Sequence, residues 1–305
     1  MKIAVLSDIH GNWAALTAVL HDIEQWQPDV VVVNGDVMNG SPYGRRCWER
    51  IDQQQPGWHW LQGNHEGYVL NWRTKADPFV PWQQQLHSLS YHSFITFSRQ
   101  QLDQMAALPT EFSWTAPDGS RLVVMHASVR GNRDGLYADA PWSELKQQIM
   151  EKTAVFVTGH THQPFIRWVD ETAVVNCGGV GLTGDGNRQA VYGRFTWSAQ
   201  RGWQSQLVRL PYDFAQAEQA FFDTGYLEEV GLMAALSLVE VRSGRNVKGE
   251  WRKRYQTAVT SGQIDFYQSA SHLLDTLGFW PYVDTPLHPY IIGDNTRRNA
   301  PVNGQ

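Results

Sequence analysis

Five short apolar runs in this chain each stop on an acid, an amide or an imidazole. The first, with Ile3, Val5 and Leu6, runs into Asp8 and His10. Val30 to Val33 stops at Asn34-Gly35-Asp36, and Trp58 to Leu61 at Gly63-Asn64-His65-Glu66. Leu122 to Met125 stops at His126, and Val155 to Val157 at Gly159-His160-Thr161-His162. Apolar runs of this length bounded by turn residues read as buried strands. In an extended chain Asp8 and His10 leave the same face, because side chains alternate with a period of two. Open α/β sheets bind ligands at the carboxyl ends of their strands. The pattern therefore predicts a fold that gathers five such ends along one edge.

The segments between these runs support that reading. Asn12 is placed to cap a helix whose apolar face is Leu16, Val19, Leu20 and Ile23, closed by Pro28. With Val30–Val33 following, the first unit is βαβ and parallel. A turn-rich loop, Gly35 to Gly44, leads to a short helix from Arg45 to Ile51. Residues 68–115 break the rhythm, with Trp72, Phe79, Trp82, Tyr91, Phe94 and Phe97 among polar segments. They read as a helical insertion beside the site, with Ser98-x-x-Gln101 as a capping box. Pro141 starts a helix expected to reach about Lys152. Ile166–Val169 and Ala173–Val175 suggest a hairpin, and a glycine-rich loop, Asn176 to Gly181, follows. Ala190–Thr196 and Trp203–Leu210 are two more strands. Antiparallel strands after a βαβ core suggest two packed sheets flanked by helices. Pro211 marks a boundary, so residues 1–210 form one domain and 211–305 a helical extension with a polar, mobile tail from Asp294.

Composition narrows the function classes. A chain of 305 residues suits one large domain with an appendage. Its net charge of −5 implies no basic surface for duplex nucleic acid. The N-terminal apolar stretch is too short for a signal peptide, and no run approaches the ~18 residues of a membrane span. Cys47 and Cys177 sit in no paired motif, so a reduced, cytoplasmic setting is expected.

Asp8, His10, Asp36, Asn64, His126, His160 and His162 together offer two carboxylates, four imidazoles and one amide. One cation would leave several idle. Two cations a few ångströms apart would use them all, with one carboxylate bridging. Such a pair, ~3.5–4 Å apart, stabilises both the attacking and the leaving oxygen at phosphorus. Mixed nitrogen and oxygen ligands without thiolate suit manganese, iron, zinc, cobalt or nickel better than magnesium alone.

Asp8-x-His10, Gly35-Asp36, Gly63-Asn64-His65-Glu66, His126 and Gly159-His160-x-His162 resemble the motif series of the calcineurin-like metallophosphoesterase superfamily. The likeness covers about residues 1–210, and Gly178 to Gly181 with Asp185-Gly186 is similar to its small bacterial YfcE-like branch. The resemblance implies a four-layer α/β/β/α sandwich of two mixed sheets with helices outside. It implies one metal on Asp8, His10, Asp36 and His162, and a second on Asp36, Asn64, His126 and His160. Asp36 and a hydroxide would bridge them, and the hydroxide would attack phosphorus in line. His65, not itself a ligand, would protonate the leaving oxygen or stabilise the transition-state charge. Asn12 and Asn39 are expected to line the phosphate pocket, and Arg45 to reach a phosphate. The Ser/Thr protein phosphatase branch carries Asp and Arg where this chain has Asn39 and Gly40, which weakens that reading.

The expected activity is hydrolysis of a phosphodiester in a small or nucleotide-like substrate. A phosphomonoesterase follows closely, since the same metals serve both, and a protein phosphatase more distantly. The contrasting class is a non-catalytic scaffold, as in the retromer subunit of the superfamily. The presence of His65 and the whole ligand set argues against it.

Overall fold

The valine-rich runs pair as their apolarity dictates. β1 (Lys2–Leu6) lies parallel to β2 (Val30–Val33), with Ile3 opposite Val30 and Leu6 opposite Val33. β3 (Trp58–Trp60) continues that order in parallel. These strands are joined by α1 (Trp13–Trp26) and α2 (Gly44–Asp52). The computed structural model describes residues 1–54, 57–74 and 85–294. A second sheet holds β4 (Glu111–Thr115), β5 (Arg121–Met125), β6 (Val155–Thr158), β7 (Phe165–Val169) and β8 (Thr172–Asn176), ordered β4-β5-β6-β8-β7. β9 (Ala190–Ser198) and β10 (Gly202–Leu210) return antiparallel to the first sheet, giving β10-β9-β1-β2-β3. Both sheets are mixed and five-stranded.

Between β3 and β4 lie α3 (Asn64–Leu70), α4 (Ser88–Thr96) and α5 (Arg99–Ala107). Glu111–Thr115, expected within the helical insertion, is instead the edge strand β4. Phe112 and Trp114 alternate there and pack against the inter-sheet core. After β5 comes α6 (Trp142–Gln148). It stops at Gln148, not Lys152, because Ile149 turns extended and is buried beside the second sheet. Phe79, Trp82 and the tail beyond Asp294 lie outside the described residues.

Alternation sorts each strand between two cores. Ile3, Val5 and Val32 meet Leu122, Val124, Val157 and Phe195 between the sheets. Leu6 and Val33 point the other way, onto Leu16, Val19 and Ile23 of α1 and Trp48 of α2. Val123, Phe156 and Val174 pack outward on Leu145 of α6. Strands buried on both faces need continuous apolar runs, which is why the valines are not interrupted. The layers are therefore helix, sheet, sheet, helix, as expected.

After β10 come α7 (Phe214–Asp223), α8 (Tyr226–Val230), α9 (Leu232–Ser243), α10 (Val247–Thr260), α11 (Phe266–Leu277) and α12 (His288–Ile292). Every residue from Leu232 to Val241 is buried, so α9 is the centre of this helical set. Its core joins Phe221, Leu236, Val239, Trp251 and Leu274 to Leu86, Leu89 and Leu182, which lie near the strand ends. The extension thus seats itself over the edge where the polar residues gather. Among the described residues no helix is long and apolar enough to cross a membrane.

Trp251 anchors α10: it is 1% exposed, donates from Nε1 to Ser269 Oγ at 2.8 Å, and meets the Phe266 ring edge-on. Trp251→Ala removes that packing and is expected to cost about 3–5 kcal/mol, read from the urea midpoint. A loss under about 1 kcal/mol would mean that the extension contributes no cooperative core.

Candidate metal centre

Each polar residue sits where a strand leaves its sheet. Asp8 and His10 follow β1, Asp36 follows β2, and Asn64 opens α3 after β3. His126 follows β5, and His160 and His162 follow β6. Turning out of a strand this sharply puts Asp8 (φ 56°), His10 (48°), Asp36 (55°), Asn39 (66°), His160 (66°) and His162 (59°) in the left-handed region. Residues with a Cβ are uncommon there, and each costs on the order of 1–3 kcal/mol unless its surroundings enforce it. Backbone bonds between adjacent loops do so, from Asp8 N to Gly35 O, His10 N to Asp36 O and Gly11 N to Val37 O.

The side chains converge. Asp36 Oδ2 lies 3.4 Å from His126 Nε2, 3.8 Å from His10 Nε2 and 3.9 Å from His65 Nε2. Asp8 Oδ1 lies 3.2 Å from His162 Nε2 and 3.8 Å from His10 Nε2. Asn64 Oδ1 lies 2.9 Å from His126 Nε2 and 2.7 Å from His160 Nδ1. The groups sort into an Asp8–His10–His162 cluster and an Asp36–His126–His160 cluster, with Asp36 also grouped with His10 and His65. Carbonyls behind the rings set their orientation. His10 Nδ1 is 2.8 Å from Asn39 O, and His126 Nδ1 is 2.7 Å from Asn34 O. Protons on those nitrogens leave Nε2 of each ring as the atom that faces inward.

Glu66 closes the third motif, and its side chain is the brace of the site. Its buried carboxylate accepts from Asp36 N at 2.9 Å, Val37 N at 3.0 Å and Gly63 N at 2.8 Å. It ties the loops after β2 and β3 together. The Gly63-to-Glu66 spacing of a capping box is the sequence signal for this role. Burial and the Asp36 charge push its carboxyl up to about 6. Two glycines let backbone approach the carboxylates. A Cβ on Gly63 would lie 2.3 Å from Asp36 Oδ1, and one on Gly159 would lie 2.4 Å from Asp8 Oδ2.

The centre opens into a cavity of about 600 Å³, lined among others by His10, Asp36, Asn39, Asn64, His65, His160 and His162. Asn39 is on its wall, with its amide held by Ser93 Oγ and its Nδ2 near His65 O. Two expected substrate contacts are elsewhere. Asn12 is 2% exposed and spends its amide on Ala15 N, Gly181 O and Tyr212 Oη, as a helix cap that also pins the glycine-rich loop. Arg45 points away, paired with Glu49 at 2.7 Å on the outer face of α2. Residues that sequence reasoning does not reach also line the cavity: Arg133, and Lys248, Arg252 and Lys253 of α10.

The donor set fits divalent cations. Asp8 Oδ1 is buried without a hydrogen-bond partner, and His10 Nε2 faces His162 Nε2 at 3.0 Å. Buried lone pairs aimed at one another are what a cation resolves. Burial would raise the carboxyls of Asp8 and Asp36, but the facing imidazoles, His162 and His126 foremost, hold both well below the usual range. Burial alone would lower His126, and Asp36 and Asp8 reverse this, raising it to about 10. At pH 7 a metal must therefore displace a proton from His126, and its apparent affinity rises with pH below that value. Manganese titrated calorimetrically into stripped protein in Tris and in HEPES should show a buffer-dependent heat equivalent to about one proton released. Identical heats in both buffers would contradict the protonated imidazole. Gly159→Ala should lower bound manganese about tenfold or more, by displacing the Asp8 carboxylate.

Comparison with known proteins agrees with the geometry. A calcineurin-like phosphoesterase superfamily domain matches residues 1–199. The uncharacterised protein MJ0912 of Methanocaldococcus jannaschii is 24% identical over 237 residues, covering 70% of this chain and 89% of that protein. A metallophosphoesterase from Sphaerobacter thermophilus superposes with a TM-score of 0.64 at 23% identity, covering 80% of this chain and 99% of its own. Protein PH1004 of Pyrococcus horikoshii gives 0.65 at 17% identity, covering 77% and 97%. With a family domain spanning five strand ends whose acids, amide and imidazoles converge on one centre, this chain belongs to the calcineurin-like phosphoesterase superfamily.

Proposed function

We propose that the protein is a dinuclear metal-dependent phosphodiesterase acting on a small or nucleotide-like substrate. The observation that carries this is the position of Asp36 Oδ2, within 4 Å of Nε2 atoms from both imidazole clusters. In this reading Asp8, His10, Asp36 and His162 hold one cation, and Asp36, Asn64, His126 and His160 hold the other. Manganese is favoured by the mixed nitrogen and oxygen donors. Bound divalent cations supply Lewis acidity that activates water and offsets charge on the phosphoryl group.

His65 does its work from the rim. Its backbone N–H donates to Asp36 Oδ1 at 2.8 Å, which fixes the ring beside the shared carboxylate. The ring packs edge-on against His10 and Tyr68, and its Nδ1 is buried without a partner. Burial lowers its pKa well below the ordinary value, against the pull of Asp36, so it is neutral at pH 7. A neutral imidazole serves by donating a ring N–H to a phosphoryl or leaving-group oxygen as negative charge grows there. Tyr68 and Tyr137 on the cavity wall offer ring surface for a planar leaving group. A cavity of about 600 Å³ has room for both arms of a diester.

Turnover of bis-p-nitrophenyl phosphate and p-nitrophenyl phosphate with added manganese tests the reading. The diester should show the higher kcat/KM. His65→Ala should lower kcat by about 10²–10⁴ with manganese content unchanged by elemental analysis. Asp36→Asn should lose both metal and turnover. No metal-dependent hydrolysis of either ester would leave a scaffold that keeps the fold.

A further inference from the structure

The cavity has a second wall, opposite the strand ends, that the metal centre does not use. α10 lays Lys248, Arg252 and Gln256 along it at a spacing of four, with Lys253 beside them. From the loop after β5, Arg133 reaches the same cavity with its guanidinium 4.5 Å from the centre of the Tyr68 ring. Charged helix faces ordinarily meet water or an acidic partner, and neighbouring residues here do. Arg254 pairs with Glu250 on the outer side of α10, and Arg130 with Asp134. Arg133, Arg252 and Lys253 are exposed and, among the described residues, have no such carboxylate.

Among the described residues two carboxylates line the cavity. Asp36 belongs to the metal centre. Glu240, 3% exposed, is bound by the Lys248 ammonium and by Lys248 N at 2.7 Å, while Lys248 Nζ also reaches Ser237 Oγ at 2.7 Å. That buried pair fixes the start of α10, and Arg252, Lys253 and Arg133 are left, among the described residues, without a carboxylate partner. Lys248, Arg252 and Lys253 line the same cavity as His10, Asp36 and His65, so this wall faces the reacting centre.

We infer that Arg252, Lys253 and Arg133 form a second anion subsite, and that the substrate is a phosphate ester carrying a further phosphate group away from the bond that is cut. The inference rests on the phosphoesterase reading of the metal centre and deepens it. Guanidinium forks match phosphate oxygens two at a time, and a compact ammonium beside them adds point charge. A singly charged ester would leave these exposed groups to water alone. The extension thereby gains a function, bringing a cationic helix to a site whose own residues bind only the reacting phosphoryl group.

Thymidine 5′-monophosphate and thymidine 3′,5′-bisphosphate differ by one phosphate and serve as probes. With manganese-loaded, full-length protein, calorimetry should show the bisphosphate binding about tenfold more tightly or better. In Arg252→Ala/Lys253→Ala that ratio should fall to near one. Arg133→Ala, on a different element, should lower it about threefold or more. The conservative pair Arg252→Lys/Lys253→Arg should keep most of the preference. For turnover, thymidine 5′-(p-nitrophenyl phosphate) and its 3′-phosphorylated form should differ in KM and not in kcat. A ratio near one in the wild type, or a ratio retained in the double alanine variant, overturns the subsite. Binding preference without turnover of either ester refutes the phosphoesterase reading alone, whereas turnover without preference refutes the subsite alone.

Discussion

The site depends on how Asp36 is held. Its backbone N–H is fixed by Glu66, and its Oδ1 accepts from His65 N, so Oδ2 alone is left to face the imidazoles. The residue adopts a left-handed backbone to reach that position. Such a conformation persists only where the surroundings over-determine it. Here Glu66 does so with three backbone donors, and Gly63 gives the carboxylate room. Asp8 repeats the arrangement on the other side. Its Oδ2 accepts from Ser7 Oγ and His160 N, which leaves Oδ1 turned inward. In both residues one oxygen is spent on the protein and one is presented to the centre.

Strand order makes this possible. β1 and β2 are neighbours in the first sheet, β5 and β6 in the second, and all four run to the same edge. Packing the sheets face to face brings the two pairs of strand ends together. The stiff, fully buried valines behind them hold the spacing, because a close-packed interior yields little to strain. The site is thus built on sheet edges and loops braced by buried carboxylates. The helical extension is a different kind of wall. It is attached through leucine contacts to α4 and the glycine-rich loop, and it contributes charge, not ligands.

Much of this is legible in the chain before folding is considered. Apolar runs with period-two alternation identify strands, and a polar residue at the end of each run is a local signal. So the two-sheet class and the cluster of Asp8, His10, Asp36, Asn64, His126, His160 and His162 can be read directly. Edge strand β4 escapes such a reading because Phe112 and Trp114 stand in a short segment beside helical stretches, and pairing with β5 decides its state. Nearness in sequence to the motifs points Asn12 and Arg45 towards substrate, and the fold turns both elsewhere. Whether an amide caps a helix or lines a cavity depends on its own hydrogen bonds, and those of Asn12 go to Ala15, Gly181 and Tyr212.

The cationic wall marks the boundary most sharply. Lys248, Arg252 and Lys253 lie in a polar helix that, taken alone, reads as a solvated surface. Nothing within that helix says which side it presents to a neighbour. Its direction is set by Trp251 and Val247 locking into the core of the extension, and by α9 carrying that core onto Leu86, Leu89 and Leu182. The sequence by itself determined the strands, their layers and the kinds of atom offered at their ends, because these follow from local periodicity. Only the tertiary structure decided which oxygens stay free, which backbone turns are strained and which charges look into the cavity, because those are relations between segments far apart along the chain, as Asn12 and Tyr212 are.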